Sequence, residues 1–430
     1  MMLPLMSHAT AFDQRPIYHF TAPEGWINDP NGLVFANGKY HLFYQHNPFG
    51  TRWGNMTWGH ATSKDLIHWK HLGEAIRPDS MGTIFSGSAV VDKSDTAGFG
   101  KNAIICAYTS AGGTSDESKG QPFTQSLAWS TDGSLFHKFA GNPVLPNIVG
   151  ENRDPRLIWH EASKKWVMAL YLSGSEFGFY GSRDLRSWTP LSRYTLHGSS
   201  ECPDLFVLPL DGNKRDQRWV FSGADGKYQV GNFNGQSFVP ETAVLESYFG
   251  NTAYAAQTFS NAPKGRIIHV SWFRGSDFLD QKGNQQMSVP NEVTLKTTRN
   301  GPRLFFTPVA EIVNCRQMVV TGPTRAEALD IEGRWDLPES GKMTLHVKGV
   351  EVTVDAAERT VTALGKVSHF DAKARNVHLR ILVDRASLEV YVQGGEAYMP
   401  FWIPPSEPSK HEVTVSGNWA GSSKVFELKV

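Results

Sequence analysis

Cysteine is scarce in this chain, with three residues among 430. Cys106, Cys202 and Cys315 are odd in number and far apart, which excludes a disulfide framework and a metal site built on a CxxC pair. We expect all three to be free thiols buried in the protein.

Neither sign of charge is in excess, because 42 Lys and Arg residues balance 42 Asp and Glu residues. We expect no nucleic-acid partner, since phosphate binding requires clustered cations and no long basic run is present. Long apolar runs are also missing. No stretch approaches the roughly 18–20 residues of a membrane helix, so we expect no membrane partner either.

The N-terminal segment MMLPLMSHATAF has no basic region and only a short apolar part, so it is not a clear signal peptide. We therefore expect a cytoplasmic protein or a trimmed secreted form. The sequence does not decide between a monomer and a homo-oligomer.

Several catalytic motifs are absent as well. There is no HExxH motif and the 15 histidines are scattered, so metal catalysis finds little support. The chain also lacks the GxSxG motif that would indicate a serine hydrolase. The glycine-rich segment AGGTSDESKG (residues 111–120) lacks the GK[ST] of a phosphate-binding loop, and we interpret it as a flexible surface loop.

The chain is rich instead in short strand-like segments such as KYHLFYQHN, AIICAYTS and KWVMALYL, which are bounded by turn-forming residues. A weak repeat of Ser, a turn with Asp, and an aromatic residue accompanies them in SKDLIHW (63–69), STDGSLF (130–136) and SRDLRSW (182–188). GNFNGQSF (231–238) has a similar form. A period of roughly 50–67 residues with several strands per unit is typical of a β-propeller. About five such units fit between residues 20 and 305, so the sequence predicts an all-β fold with a five-bladed β-propeller.

The pattern changes in the last quarter of the chain. Apolar and polar residues alternate from residue 343 onwards, as in Val350, Val352 and Val354. Such alternation is typical of strands with one buried face and predicts an antiparallel β-sandwich. We therefore predict two domains, a propeller over residues 1–315 and a β-sandwich over residues 325–430.

Three acidic residues have similar neighbours: Asp29 in WINDPNG, Asp154 in ENRDPRLIW and Glu201 in SSECPDLFVL. Taken singly, each of these acids fits a structural role better than a catalytic one. The segment Asn-Asp-Pro-Asn-Gly around Asp29, for example, predicts a turn. The innermost strands of a propeller, however, start near one central channel. Acids that precede several such strands would converge there.

Converging carboxylates suit the cleavage of a glycosidic bond. In a retaining mechanism one carboxylate attacks the anomeric carbon, and a second, roughly 5–5.5 Å away, donates a proton to the leaving oxygen. The donor needs a pKa raised by burial or by neighbouring negative charge. Arg153 should instead keep its neighbour Asp154 ionised.

Four ordered blocks resemble the signature blocks of glycoside hydrolase family 32, which includes invertases, inulinases and levanases. They are WINDPNG (26–32), FSGSAV (85–90), RDPR (153–156) and ECPDLF (201–206). ILVDRASLEVYVQGG (381–395) resembles the C-terminal sandwich domain of that family. The resemblance covers nearly the whole chain and implies a five-bladed propeller followed by a β-sandwich.

The resemblance also implies roles for residues. Asp29 would be the nucleophile, Glu201 the general acid/base, and Asp154 a residue that binds fructose hydroxyls and stabilises the transition state. The implied substrate pocket consists of Asn28, Gln45, Trp53, Phe85, Ser86, Arg153, Tyr254 and Trp272. No metal and no cofactor are implied.

One segment departs from the family pattern. Many members read roughly W-R-G and then P-R-E-L after the residue equivalent to Trp272, whereas this chain reads QQMSVPNEVTL, with Asn291 in place of the arginine. In this segment the chain is more similar to the fructan-degrading members of the family. It would affect the preference for the leaving group and not the fructose subsite.

We therefore expect an exo-acting β-fructosidase that releases fructose, with retention, from sucrose or from the ends of inulin or levan. Fructosyl transfer and endo-acting cleavage stay open, because they use the same site. A non-catalytic sugar-binding propeller is a further alternative, which the loss of any of the three acids would favour; all three are present. An inverting, arabinan-cleaving propeller would need carboxyls ~6.5–9.5 Å apart, and WINDPNG together with ECPDLF argues against it.

Overall fold

The computed structural model describes residues 12–278, 281–371 and 373–430. They form 34 strands and three short 3-10 helices, Asp116–Ser118, Pro263–Gly265 and Ala310–Cys315, which confirms the predicted all-β class. No helix in these ranges is long and apolar enough to cross a lipid bilayer. Residues 1–11, which include most of the segment considered as a signal peptide, lie outside the described residues.

Five antiparallel units of four strands succeed one another between Gly25 and Pro308. The first contains β1 (Gly25–Ala36), β2 (Lys39–Asn47), β3 (Thr57–Ser63) and β4 (Trp69–Ile76). The second contains β5 (Thr83–Asp92), β6 (Ala103–Ala111), β7 (Phe123–Ser130) and β8 (His137–Lys138). The third contains β9 (Arg153–His160), β10 (Lys165–Ser173), β11 (Glu176–Ser182) and β12 (Thr189–Thr195).

The last two units belong to one continuous sheet, joined by a single parallel pairing of Leu210 with Leu295. The fourth contains β13 (Asp204–Leu210), β14 (Asn213–Ser222), β15 (Lys227–Phe233) and β16 (Phe238–Pro240). The fifth unit contains β18 (Ala253–Thr258), β19 (Ile268–Phe273), β22 (Asn291–Thr298) and β23 (Gly301–Pro308). Three additional strands of two residues each are β17 (Leu245–Glu246), which pairs with β15, β20 (Gly283–Asn284), which pairs with β1, and β21 (Gln286–Met287), which pairs with β19.

The five units close into a ring. The innermost strands β1, β5, β9, β13 and β18 each pack against the next one, and β18 packs against β1. Most side chains of these strands are buried, as expected for strands enclosed on both faces. The architecture is therefore the predicted propeller, and its five four-stranded units agree with five blades.

The sequence repeat corresponds to the turn between the third and fourth strands of a blade. In each of the first three blades a serine hydroxyl donates to an aspartate two residues later: Ser63 to Asp65, Ser130 to Asp132 and Ser182 to Asp184. These aspartates also accept backbone N–H groups from the following residues, which closes the turn. The repeat is thus a locally hydrogen-bonded turn that occurs once in each of these three blades.

The C-terminal part is a sandwich of two antiparallel sheets. One contains β24 (Arg316–Val319), β25 (Leu329–Asp336), β30 (Asn376–Val383), β31 (Ser387–Val392), β32 (Ala397–Trp402) and β34 (Gly421–Leu428). The other contains β26 (Lys342–Val347), β27 (Val350–Asp355), β28 (Thr360–Ala363), β29 (Lys366–His369) and β33 (Thr414–Ser416). The alternating valines Val350, Val352 and Val354 pack into the core between the sheets, as the pattern predicts.

The proposed division at residues 315 and 325 stays a prediction. β24 lies between these two positions and pairs with β34, the last strand of the sandwich. Strand pairing therefore favours assigning residues 316–319 to the sandwich.

A buried ionic cluster connects the segment before the first blade to the sandwich. The His19 ring donates through Nδ1 to Asp384, at 2.8 Å, and through Nε2 to Glu389, at 2.6 Å. Tyr391 and Tyr398 donate their hydroxyls to the second oxygen of Glu389. Burial disfavours the charged imidazole, but the two carboxylates outweigh it and raise the pKa of His19 to about 9.

We predict that His19→Gln lowers the free energy of unfolding by about 3–5 kcal/mol, because it leaves two buried carboxylates without a cation. Thermal and urea unfolding would measure the loss. The exposed pair of His68 with Asp65 provides a matched control, and His68→Gln should cost less than about 1 kcal/mol.

The raised pKa of His19 also predicts that stability depends on pH. The imidazole is charged in both the folded and the unfolded chain below pH 6.5, so its contribution is complete there and is lost as the pH rises to about 9. The His19→Gln variant should lack this component. Equal stabilities of the variant and the parent across this range would contradict the assignment.

Candidate active site

A pocket of about 470 Å³ opens on the propeller axis, at the end where the innermost strands begin. β1, β5, β9 and β18 and the segment before β13 all contribute to its walls. The structure brings all of the predicted site residues together in it: Asn28, Asp29, Gln45, Trp53, Phe85, Ser86, Arg153, Asp154, Glu201, Tyr254 and Trp272. Their individual roles stay predictions.

The predicted turn around Asp29 is wrong. Residues Trp26 to Gly32 lie within β1, and the pairing of β1 with β2 shifts register between Ile27 and Pro30 and again between Asn31 and Val34. A strand irregularity of this kind re-aims a side chain while the strand continues. Here it accommodates Pro30 and brings Asp29 to the pocket wall.

Backbone geometry also positions the other two acids. Asp154 and Glu201 have φ angles of 64° and 54°, and the next residue, Cys202, has a φ of 37°. Residues other than glycine rarely adopt positive φ, and such strain is concentrated at functional sites. The fold therefore holds both acids in conformations that a relaxed chain would avoid.

Asp29 is held by two side-chain donors. The Ser86 hydroxyl donates to Oδ2 at 2.6 Å, and the Asn28 amide donates to Oδ1 at 3.1 Å. Burial raises the pKa of Asp29, the two hydrogen bonds oppose that rise, and the charge of Glu201 adds to it. Asp29 and Glu201 are therefore electrostatically coupled across the pocket.

Glu201 has a different environment. Arg153 donates to Oε1 at 2.5 Å, and the Tyr254 hydroxyl donates to Oε2 at 2.5 Å. Burial favours its neutral form, but the bonds from Tyr254 and Arg153 outweigh burial and lower the pKa of Glu201. The expectation that the proton donor has a raised pKa is therefore wrong for Glu201 in this structure.

Asp154 carries the raised pKa instead. Burial raises it to about 7, and Arg153, whose Nε lies 3.9 Å from Oδ2, opposes the rise without cancelling it. The expectation that Arg153 keeps Asp154 ionised is wrong, because the guanidinium makes its short ion pair with Glu201 and not with Asp154. Asp154 also accepts the Cys202 backbone N–H at 3.0 Å.

Cys202 is a pocket residue that the sequence analysis did not predict, and it contacts two of the acids. Its sulfur lies 3.5 Å from Oδ2 of Asp29 and 3.5 Å from Oδ2 of Asp154, so one thiol contacts both carboxylates. It is partly exposed in the pocket, unlike the buried thiols Cys106 and Cys315, and all three are free. The available signal was its position directly after Glu201.

The glycine-rich segment 111–120 is a second element whose role was misjudged. Gly112, Gly113 and Thr114 line the pocket, so the segment forms part of its wall. The Thr114 hydroxyl bonds the Thr83 hydroxyl at 2.7 Å, which ties the segment to β5. Phe123 and Glu151 complete the lining residues that the sequence did not indicate.

Asn291, by contrast, is not among the pocket residues. It is fully buried at the start of β22, and its amide donates to the Val289 carbonyl at 2.9 Å. The structure gives no contact through which this position would affect the leaving group directly.

Gln45 is prepared to bind a polar group. It lines the pocket, is 2% exposed, and its Nε2 has no hydrogen-bond partner among the described residues. A buried donor without a partner costs free energy that a bound acceptor would recover. Aromatic rings of Trp53, Phe85 and Trp272 line the same pocket and offer apolar surface.

A pair of carboxylates with different partners in one propeller pocket is the machinery that glycoside hydrolases use. Within the described ranges, no group of three or more His, Cys, Asp or Glu side chains is arranged to hold a metal ion. The fold and the pocket define a glycoside hydrolase.

Comparison with known families identifies which one. The profile of the glycosyl hydrolases family 32 N-terminal domain matches residues 19–308, and that of the family 32 C-terminal domain matches residues 318–430. The chain belongs to glycoside hydrolase family 32.

Its relatives act on fructans. The chain is 35% identical to a levanase of Bacillus subtilis (strain 168), over 97% of this chain and 70% of the relative. It is 30% identical to an extracellular exo-inulinase of Aspergillus niger, over 96% of this chain and 94% of the relative. The crystal structure of an exo-inulinase from Aspergillus awamori superposes with a TM-score of 0.87 at 26% identity, over 96% of this chain and 98% of the other. These similarities support β-fructosidase activity on fructans or sucrose.

The pKa values predict how activity depends on pH. Asp154 has a pKa of about 7, so the group of three carboxylates retains a proton below that pH and holds none well above it. Because leaving-group departure needs a proton donor, we expect kcat/KM to fall as the pH rises through about 7. Initial rates with a soluble fructoside from pH 4 to 9 would test this.

A matched pair of variants distinguishes the effect of Asp154 on the pH profile from the effect of removing any carboxylate near the pocket. Asp154→Asn should move the alkaline limb to lower pH and reduce kcat, whereas Glu151→Gln, at the exposed rim of the same pocket, should leave the limb in place. A profile that stays flat to pH 9 in the parent would refute the assignment.

Proposed function

We propose that the protein is a retaining, exo-acting β-fructosidase, which hydrolyses terminal non-reducing β-D-fructofuranosyl residues through a covalent fructosyl-enzyme intermediate. The observation that carries the proposal is that Asp29 and Glu201 line one pocket with different partners. Asp29 is bound by neutral donors, whereas Glu201 is bound by a cation and a phenol. Two carboxylates in unlike environments can take two different roles.

In the first step Asp29 attacks C2 of the fructosyl ring, and the bond from C2 to the leaving oxygen breaks. Glu201 gives its proton to that oxygen. In the second step Glu201 takes a proton from water, whose oxygen attacks C2 and displaces Asp29. The acid has become the base and returns to its first state, so no cofactor is needed.

The proton reaches Glu201 through a change in the balance among three acids. The environment of the two acids favours the proton on Asp154 rather than Glu201, as their opposite pKa shifts indicate. Sugar hydroxyls that donate to Asp154 would favour its ionised form. Substrate binding then makes Asp154 the fixed anion and Glu201 the proton carrier, which assigns each acid the role that the family resemblance implies.

Binding of the fructosyl ring would use the remaining pocket residues. Gln45 supplies the unpaired amide donor, and Trp53 and Trp272 supply flat apolar surface. The three acids are gathered in one pocket at one end of the propeller axis, an arrangement that can receive the terminus of a chain, and we take this as support for exo action. The names of the exo-inulinase relatives support the same choice.

Transfer to a second sugar and endo cleavage are the competing activities, because both start from the same intermediate. A non-catalytic sugar-binding propeller is the alternative of another class. The presence of Asp29, Asp154 and Glu201 in one pocket argues against it.

We predict that Asp29→Asn and Glu201→Gln each remove nearly all turnover. Loss of the acid/base alone should reduce kcat by roughly 10²–10⁴-fold or more. Glu151→Gln changes a carboxylate at the rim of the same pocket and should retain activity within about threefold. Rates with sucrose, inulin and levan, together with the thermal unfolding midpoint of each variant, would measure the effects.

Azide distinguishes the two roles. In Glu201→Ala, azide should partly restore the second step, because a small anion needs no general base to attack C2. In Asp29→Ala, azide should restore no turnover with retention. Wild-type turnover by Asp29→Asn would refute the nucleophile assignment.

Product analysis tests the stereochemistry and the mode of cleavage. Proton and carbon NMR during the first minutes should show β-fructofuranose as the initial product if configuration is retained. Chromatography of inulin and levan digests should show free fructose from the start. Early oligosaccharides would instead indicate endo cleavage, and larger oligomers formed from sucrose would indicate transfer.

A further inference from the structure

The propeller axis has a second open cavity, at the end opposite the active site. Its volume is about 690 Å³, which exceeds that of the catalytic pocket. The same inner strands form both: β5 contributes Phe85 and Ser86 to the catalytic pocket and residues 90–92 to the second cavity. β9 contributes Arg153 and Asp154 to the first and residues 156–159 to the second. We call this second space the distal cavity.

Tryptophan is distributed unevenly between buried and exposed sites. All 13 tryptophans lie in the described part of the chain. Trp53 and Trp159 have the largest exposed fractions among them, 57% and 37%. Trp53 lines the catalytic pocket, and Trp159 lines the distal cavity. The most exposed indole ring at each end of the axis therefore lies in the lining of the cavity there.

The Trp159 ring is fixed in place. Its indole N–H donates to Glu161 at 2.6 Å, and its ring meets Trp166 edge to face, with 5.1 Å between ring centroids. Trp166 is itself anchored by its N–H to the Thr96 hydroxyl at 2.8 Å. An exposed aromatic ring that is already ordered loses little conformational entropy when a ligand covers it.

The charges around the distal cavity cancel. Asp92 and Glu161 balance Lys93 and Lys164, and the Arg156 guanidinium in the floor is paired with Asp204 at 2.8 Å. Neutral polar side chains supply the remaining polar lining: Ser94, Thr96, Thr258, Ser260 and Asn261. The lining therefore favours a neutral ligand with many hydroxyl groups over an anion or a cation.

Size and composition also suit such a ligand. Small-molecule sites are typically about 300–1,000 Å³, with mainly apolar and aromatic walls and a few polar groups that fix orientation. The distal cavity meets this description with Trp159, Trp166 and Trp219 in its walls. Flat indole rings provide the apolar surface against which the non-polar face of a sugar can stack.

We propose that the distal cavity binds a fructan chain, with Trp159 as the stacking platform, and so retains the enzyme on its polymeric substrate between cleavage events. The proposal rests on the proposed function for the identity of the sugar. A segment bound there belongs to a different part of the polymer, or to a neighbouring chain, from the terminus in the catalytic pocket. Binding therefore assists the attack on long fructans and has no effect on sucrose.

Calorimetric titration of Glu201→Gln with inulin-type and levan-type fructo-oligosaccharides tests the proposal without turnover. We expect two binding events. Adding Trp159→Ala should weaken one of them at least tenfold and leave the other, and adding Trp53→Ala should do the reverse. Trp419→Ala, a partly buried tryptophan in the sandwich, is the matched control and should retain both events.

Kinetics of otherwise unmodified enzyme provide a second readout. Trp159→Ala should leave kcat/KM for sucrose within twofold and raise KM for long inulin or levan at least threefold. Ser94→Arg, which places a bulky cation at the exposed rim of the distal cavity, should have the same effect without removing a packed ring. It keeps the test valid if Trp159→Ala fails to fold.

The outcomes are separable. A single binding event that Trp53→Ala abolishes and Trp159→Ala leaves unchanged would overturn the proposal, as would unchanged polymer kinetics in both distal variants. If the proposed function fails, the parent enzyme releases no fructose and the event sensitive to Trp53→Ala is missing. In that case the binding event that is sensitive to Trp159→Ala shows by itself whether the distal cavity binds a fructan.

Discussion

One guanidinium makes the ion pairs to two of the three pocket acids, Asp154 and Glu201, and none to Asp29, and the chemistry of the pocket depends on this imbalance. Arg153 bonds Glu201 directly, reaches Asp154 only at longer range, and is itself held over the Tyr171 ring at 4.7 Å. Arg274 acts on Glu201 only through its charge, without an ion pair, so burial still outweighs the cations at Asp154 and raises the pKa of that carboxyl to about 7. A fully compensated pocket would have fixed anions and no proton to donate.

The propeller makes this imbalance possible. Three acids that lie 125 and 47 residues apart along the chain reach one pocket because each lies at or near the start of an innermost strand. The positive φ angles at Asp154, Glu201 and Cys202 show that local backbone preference does not produce the arrangement. The surrounding blades impose it, with their buried cores supplying the free energy that the strain and the buried charges consume.

Sequence reasoning predicted the elements that depend on local chemistry. The Ser and Asp turns indicated three of the blades and alternating valines indicated the sandwich, whereas the pocket residues came from the resemblance to glycoside hydrolase family 32. It missed what depends on packing in three dimensions. A proline beside Asp29 was expected in a turn and lies in an irregular strand, and Cys202 gave no hint of lying between two aspartates. The order of the pKa values was also misjudged, because it depends on which acid Arg153 faces and how deeply each is buried.

The two ends of the axis differ chemically for a reason that follows from strand direction. All innermost strands begin at the catalytic end, where irregular, strained segments enter them and place Asp154 and Glu201 in the pocket. Toward the opposite end the buried pair of Arg156 and Asp204 lies in the floor of the distal cavity, and the walls beyond it are apolar and aromatic. Uncompensated charge is thus confined to one end, which suits bond cleavage. The neutral, aromatic opposite end suits binding without reaction.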